Sequence, residues 1–225
     1  MLDRFRGLAA TIARPLVICL ARLGIAPSVV TVIGTCAVVV ASLVLLPLGL
    51  LWQAAVAIGF FGLWDALDGQ LARHTRRASA WGAFLDASAD RIADGAVLVG
   101  LVLYFAGRQD SLLFAGITLW ALVFAQVTSY VKARGEAEGF IVAGGLITRA
   151  DRLALVVLGT GLAGAGVPYA LHVAVTALAV LGTVTVVQRM ASVHRQYRLL
   201  DHTEARAADE AGAPRDRGGA DRARR

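Results

Sequence analysis

The chain has 225 residues, 57% of them hydrophobic, a mean hydropathy of +0.66 and a formal charge of +6. A soluble domain is about 45–50% apolar, so the composition excludes an ordinary soluble fold and points to an all-α integral membrane protein. Cys19 and Cys36 both lie in apolar surroundings and read as core residues rather than a disulfide pair.

Residues 1–27 come first. Arg4, Arg6, Arg14 and Arg22 are mixed with Leu, Ile, Phe and Ala, the pattern of an amphipathic helix lying in the membrane interface. No small-residue cleavage site follows the basic start, so the segment does not read as a removed signal peptide. Gly24-Ile-Ala-Pro27-Ser28 breaks the pattern, and Ser28 is placed to cap the next helix.

A spanning helix needs about 20 apolar residues. Within 28–200, six stretches predict such helices: 29–48, 52–74, 81–105, 111–135, 152–167 and 169–192. Residues 201–225 are rich in Arg, Asp, Ala and Gly with almost nothing to bury, which predicts a disordered tail.

Charge placement predicts orientation. The turns near Gly49 and Gly166 carry no charge, and the turn between the third and fourth stretches holds only Arg108 and Asp110. The other side collects the N-terminal arginines, Arg73, Arg76, Arg77, Lys132, Arg134, Arg149, Arg152 and the tail. The positive-inside rule then puts both termini on the cytoplasmic side of a multi-pass cell-membrane protein.

The chemistry is carried by Asp65-Ala-Leu-Asp68-Gly69-Gln-Leu-Ala72-Arg73 and, eight residues on, Gly82-Ala-Phe-Leu-Asp86-Ala-Ser-Ala-Asp90. The spacings i, i+3 and i, i+4 put each acidic pair on one helix face. Carboxylates in apolar helices are tolerated where they pair, face a cavity or bind cations. Hard oxygen ligands suit Mg²⁺ or Mn²⁺, and four of them allow two metals, the arrangement that clamps both oxygens of a phosphoryl displacement. Arg73, one turn past Gly69, is placed to meet a phosphate. Asp94, one turn past Asp90, reads as a neighbour of the motif rather than a ligand.

Every fixed position of Asp65-x-x-Asp68-Gly69-x-x-Ala72-Arg73-x8-Gly82-x3-Asp86-x3-Asp90 resembles the signature of the CDP-alcohol phosphotransferases. The resemblance implies six transmembrane helices, a homodimer, two Mg²⁺ per subunit (with Mn²⁺ as the alternative) and transfer from a CDP-alcohol to a hydroxyl with release of CMP. It implies that Asp65, Asp68 and Asp86 are metal ligands and that Asp90 is both ligand and general base. It places Ser28, Val29, Val30, Thr31, Gly69, Arg73 and Ser79 at the CDP-diacylglycerol.

The acceptor is read from the remaining charges at that end. Ser129, Lys132 and Arg134 close the fourth helix, Arg149 and Arg152 open the fifth, and Arg189 lies near the end of the sixth. Lys and Arg form charge-assisted hydrogen bonds to phosphate, so Ser129, Lys132, Arg134, Arg152 and Arg189 predict a phosphorylated acceptor. The opposing explanation is that these cations anchor the chain at lipid headgroups. The run Ser129-Tyr-Val-Lys132-Ala-Arg134-Gly-Glu136, Gly144-Gly145 and Arg152-Leu153 resemble the phosphatidylinositol phosphate synthase branch of actinobacteria. That branch implies CDP-diacylglycerol and 1D-myo-inositol 3-phosphate (L-myo-inositol 1-phosphate) as substrates, with glycerol 3-phosphate as the alternative acceptor. Two positions depart from it: Thr148-Arg149-Ala150-Asp151 stands for Glu-Arg-x-Glu, and Gly135 stands for Ala. A cation transporter is the main competing class, but the acids cluster at one end and the rest of each helix is apolar.

Overall fold

The computed structural model describes residues 24, 26–74 and 79–212; at 63–70, 72–74 and 201–212 it describes the helix backbone and not the side chains. Among the described residues there are six α-helices and no strand. They are α1 Pro27–Leu45, α2 Leu51–His74, α3 Ala80–Gly107, α4 Leu112–Ala137, α5 Arg149–Gly164 and α6 Ala170–Gly212. The expected interfacial helix over 1–27 lies outside the described residues, apart from Gly24, Ala26 and Pro27.

Local chemistry sets the starts. Pro27 occupies the first turn of α1 with Ala26 as N-cap and no side-chain cap. Proline has no N–H to satisfy there and its φ suits the helix. Ser28, expected as the cap, therefore sits one residue inside the helix. Ser79 caps α3, its Oγ accepting the Gly82 N–H at 3.0 Å. Thr148 starts α5 through a reciprocal capping box with Asp151. That box begins the helix at Arg149, three residues before the apolar stretch that predicted it. The far end of α5 closes at Gly166 (φ 89°), where Val167 N–H bonds Leu162 O at 2.9 Å and Gly166 N–H bonds Ala163 O at 3.0 Å. These are the two bonds of a Schellman stop.

The helices pack as a closed ring in the order α1, α2, α5, α6, α4, α3 and back to α1. Successive helices alternate in direction. One end gathers the starts of α1, α3 and α5 with the far portions of α2, α4 and α6. Leu46, Ile58, Leu101, Phe105 and Val175 fill the interior. Small residues set close crossings: Gly100 packs on the Ser42 backbone, Gly159 on Ala174, and Gly164 on the Trp52 backbone. A Cβ at any of the three would collide. The glycine series of α5 thus serves contacts within one chain.

The outward faces are apolar too. Val40, Leu103, Leu112, Leu158 and Val173 all stand exposed. A ring apolar both inside and out suits lipid as its surroundings, and the chain is a membrane protein. Among the described residues, Pro27–Leu45, Leu112–Ala137 and Ala170–Leu200 are long and apolar enough to cross a bilayer.

Two expectations are corrected. Cys36 is exposed on α1 rather than buried in the core; Cys19 lies outside the described residues. The tail expected to be disordered from residue 201 continues α6 to Gly212. Its Ala, Arg and Glu residues are good helix formers, and they extend an existing helix without a nucleation cost.

Candidate active site

At the end that gathers the starts of α1, α3 and α5, a cavity is lined by Thr31 and Thr35 of α1, Phe61 of α2, Asp90 and Asp94 of α3 and Arg149 of α5. Positions 65 and 68 follow Phe61 by four and seven residues on α2, the spacing of one helix face. The side chains of Asp65, Asp68, Gly69 and Arg73 lie outside the described residues. Asp86 is half-buried one turn before Asp90.

The centre of the site is an ion-pair network that crosses the ring from α3 to α5, which are not neighbours in it. Arg149 Nη2 lies 2.6 Å from Asp90 Oδ1, and its Nε lies 3.5 Å from Asp94 Oδ1. Arg152 Nη2 donates to Asp94 Oδ2 at 3.1 Å. Arg91 Nη2 stands 3.8 Å from Oδ2 of both aspartates. The match is geometric: Asp90 and Asp94 are one turn apart, as are Arg149 and Arg152. The side chains of Asp90 and Asp94 are only 14% and 13% exposed and that of Arg152 10%. Charges so far from solvent require partners, and here each supplies the other's.

The capping box fixes the arginines. Thr148 Oγ1 accepts the Asp151 N–H at 3.3 Å, while Asp151 Oδ2 accepts the Thr148 N–H at 2.9 Å and its hydroxyl at 2.7 Å. These donors hold the Asp151 carboxyl below its ordinary pKa. The loop ahead of α5 is pinned to α6: Ile147 N–H donates to Thr185 Oγ1 at 3.3 Å, and Arg189 Nε donates to Gly144 O at 3.1 Å.

The expected acceptor residues divide. Ser129 accepts from Arg91 and so joins the network. Arg152 lies inside it. Arg189 donates to Thr128 O at 2.7 Å, beside Ser129, and is close enough to Arg152 for their charges to interact. Lys132 and Arg134 instead pair along α4 with Glu136 and Glu138 and are exposed. Of the expected nucleotide contacts, Thr31 is buried at the cavity and donates to Pro27 O at 3.2 Å. Val30 is buried, Val29 faces outward, and Ser28 is half-buried. Ser79 Oγ is engaged as a cap acceptor, which leaves its hydroxyl proton for another partner.

No cluster of three or more His, Cys, Asp or Glu side chains poised for a metal is present among the described residues. Half of the expected ligand set falls outside them. The described half fits a hard divalent cation: Asp90 lines the cavity, and Asp86 offers a second carboxylate one turn before it on α3.

The model of the CDP-alcohol phosphatidyltransferase family matches residues 24–187. The chain belongs to this family. It is similar to the phosphatidylinositol phosphate synthase of Mycolicibacterium smegmatis, 43% identical over 191 residues that cover 84% of this chain and 86% of that one. The corresponding protein of Cutibacterium acnes is 41% identical over 203 residues, covering 87% and 98%. Among solved structures, the Mycobacterium tuberculosis phosphatidylinositol phosphate synthase with CDP-DAG bound aligns at a TM-score of 0.79 and 42% identity, over 82% of this chain and 94% of that one. The same protein in complex with manganese and citrate aligns at 0.76.

Both departures from the branch pattern have local explanations. Thr148 is the α5 cap. Gly135 is buried, and a Cβ there would run into Val142 of the following loop. Arg91 and Gln126 escaped the sequence reading. Gln126 Nε2 donates to Arg91 O at 3.1 Å and ties α4 to the turn of α3 that carries Asp90. An arginine within an apolar helix, three residues before an aspartate, was the available signal.

Proposed function

We propose that this transferase moves the phosphatidyl group of CDP-diacylglycerol to a hydroxyl of 1D-myo-inositol 3-phosphate, giving phosphatidylinositol phosphate and CMP. The observation that carries the proposal is the meeting of Asp90 and Asp94 with Arg149 and Arg152 in one ion-pair network, in a family that transfers phosphatidyl groups. Relatives and solved structures named for this synthase, one of them with CDP-DAG bound, support the substrate assignment.

Asp65, Asp68, Asp86 and Asp90 would hold two Mg²⁺ per subunit, with Mn²⁺ able to replace them. Bound there, the cations would supply positive charge against the diphosphate and the charge that develops during transfer. Asp90 takes the proton of the attacking hydroxyl as that oxygen bonds the phosphorus beside the diacylglycerol and the bond to CMP breaks. Gly69, Arg73, Ser79 and the Ser28–Thr31 turn hold the nucleotide diphosphate. Ser129, Arg152 and Arg189, with Lys132 and Arg134 at the rim, meet the acceptor phosphate. The charged reaction end is turned to the cytoplasm, with six membrane spans, an interfacial helix before them and a homodimer as the working unit. Segregation of charge by bundle end supports that orientation.

The test is product analysis. Purified protein with CDP-diacylglycerol, Mg²⁺ and the inositol phosphate yields phosphatidylinositol phosphate and CMP in equal amounts. Formation of phosphatidylglycerophosphate alone, when glycerol 3-phosphate is also supplied, would move the assignment to that acceptor.

A further inference from the structure

Asp94 is not part of the acidic signature, yet it holds the middle of the site. It lines the cavity shared with Asp90 and Arg149. It also lines a second cavity, deeper in the ring, with Leu98, Ala125, Arg152, Val156 and Leu178. Its carboxylate meets three guanidiniums: Arg152 at 3.1 Å, Arg149 at 3.5 Å and Arg91 at 3.8 Å. Arg152 is buried, and the wall of the deeper cavity is otherwise apolar. A buried guanidinium without a counter-charge would turn away or draw in water.

We propose that Asp94 is a positioning residue for the acceptor site. It crosses the ring to fix the buried Arg152, so that the guanidinium edge not bonded to Asp94 is oriented for a phosphate on the incoming alcohol. Arg's planar fork makes this useful: one edge held by a carboxylate leaves another edge oriented. The proposal rests on the acceptor assignment above and names the residue that makes its Arg152 rigid.

The experiment compares Asp94→Asn, Asp94→Glu and Arg152→Ala as purified full-length protein, with steady-state kinetics in each substrate and a thermal melt. Asp94→Asn is expected to raise KM for the inositol phosphate about tenfold or more, with kcat and KM for CDP-diacylglycerol within about twofold of the parent. Asp94→Glu, which keeps the charge, is expected to recover part of that loss. A lower melting temperature with unchanged acceptor KM would overturn the proposal, because a structural prop does not select one substrate. Equal losses for both substrates, or a fall in kcat alone, would overturn it too. So would failure of both Asp94 variants to fold, which would make the bridge a fold element. Arg152→Ala separates the two claims. If it raises acceptor KM while Asp94→Asn does not, the positioning role alone fails. If it leaves acceptor KM unchanged, the acceptor assignment itself fails.

Discussion

Arg149 reaches across the helix ring to Asp90, its Nη2 standing 2.6 Å from Oδ1, although α5 and α3 are not packed against each other. The residue assigned as base thus sits opposite a cation delivered by the first turn of another helix. The carboxylate is oriented by that partner before any substrate arrives, and orientation of a base is part of its catalytic value.

Asp90→Asn keeps the shape of this pair and removes the proton acceptor. Turnover should fall by about 10²–10⁴-fold, with KM for CDP-diacylglycerol changed much less. Steady-state CMP release checks it. Normal turnover with a raised KM for the lipid would show that Asp90 only binds.

Divalent cation should be required. Excess EDTA should stop CMP release, and Mg²⁺ or Mn²⁺ should restore it. Asp86→Asn, Asp65→Asn and Asp68→Asn should each abolish activity, because a lost ligand leaves diphosphate charge uncompensated. Full turnover in EDTA would refute the metal assignment.

Thr148→Ala should cost about 1 kcal/mol of stability, the usual value of an N-cap, read as a lower melting temperature at pH 7. The pH dependence has a definite sign. Asp151 has a lowered pKa in the folded chain, so its stabilising contribution is complete above the ordinary carboxylate pKa of about 3.9. It is lost as pH falls through the lowered value. The gap between variant and parent should therefore be full at pH 7 and shrink below about pH 4. A gap that widens on acidification would contradict the capping account.

Gly135→Ala should destabilise the chain by about 1–3 kcal/mol, the range for overpacking, because the new methyl would meet Val142 and sit 3.4 Å from Val193 Cγ2. Combining it with Val142→Ala should give a smaller loss than the sum of the two single changes. Strict additivity in thermal melts would rule out the contact.

The helices were legible because each carries an apolar stretch ended by a turn signal, and three of those stretches among the described residues are long enough to cross a bilayer. The acidic motif was legible because its spacing is helical. The start of α5 was misplaced by three residues: the apolar run begins at Leu153, whereas Thr148 and Asp151 begin the helix through side-chain chemistry that hydropathy does not see. The same blindness hid the network. Arg149 looks like an ordinary helix-end residue, and Arg91 and Asp94 like bystanders of the motif, until the ring closes and brings α5 to α3. Lys132 and Arg134 show the converse. They were grouped with the acceptor residues by position along the chain, and they pair locally on α4.

The most direct test of the central claim is CMP release from CDP-diacylglycerol with inositol phosphate, glycerol 3-phosphate, free inositol and serine supplied separately to the same purified protein. Efficient turnover is predicted with the inositol phosphate alone. Free inositol or serine working as well as the phosphorylated acceptors would contradict the account, since Arg152 and Arg189 would then have no acceptor phosphate to hold.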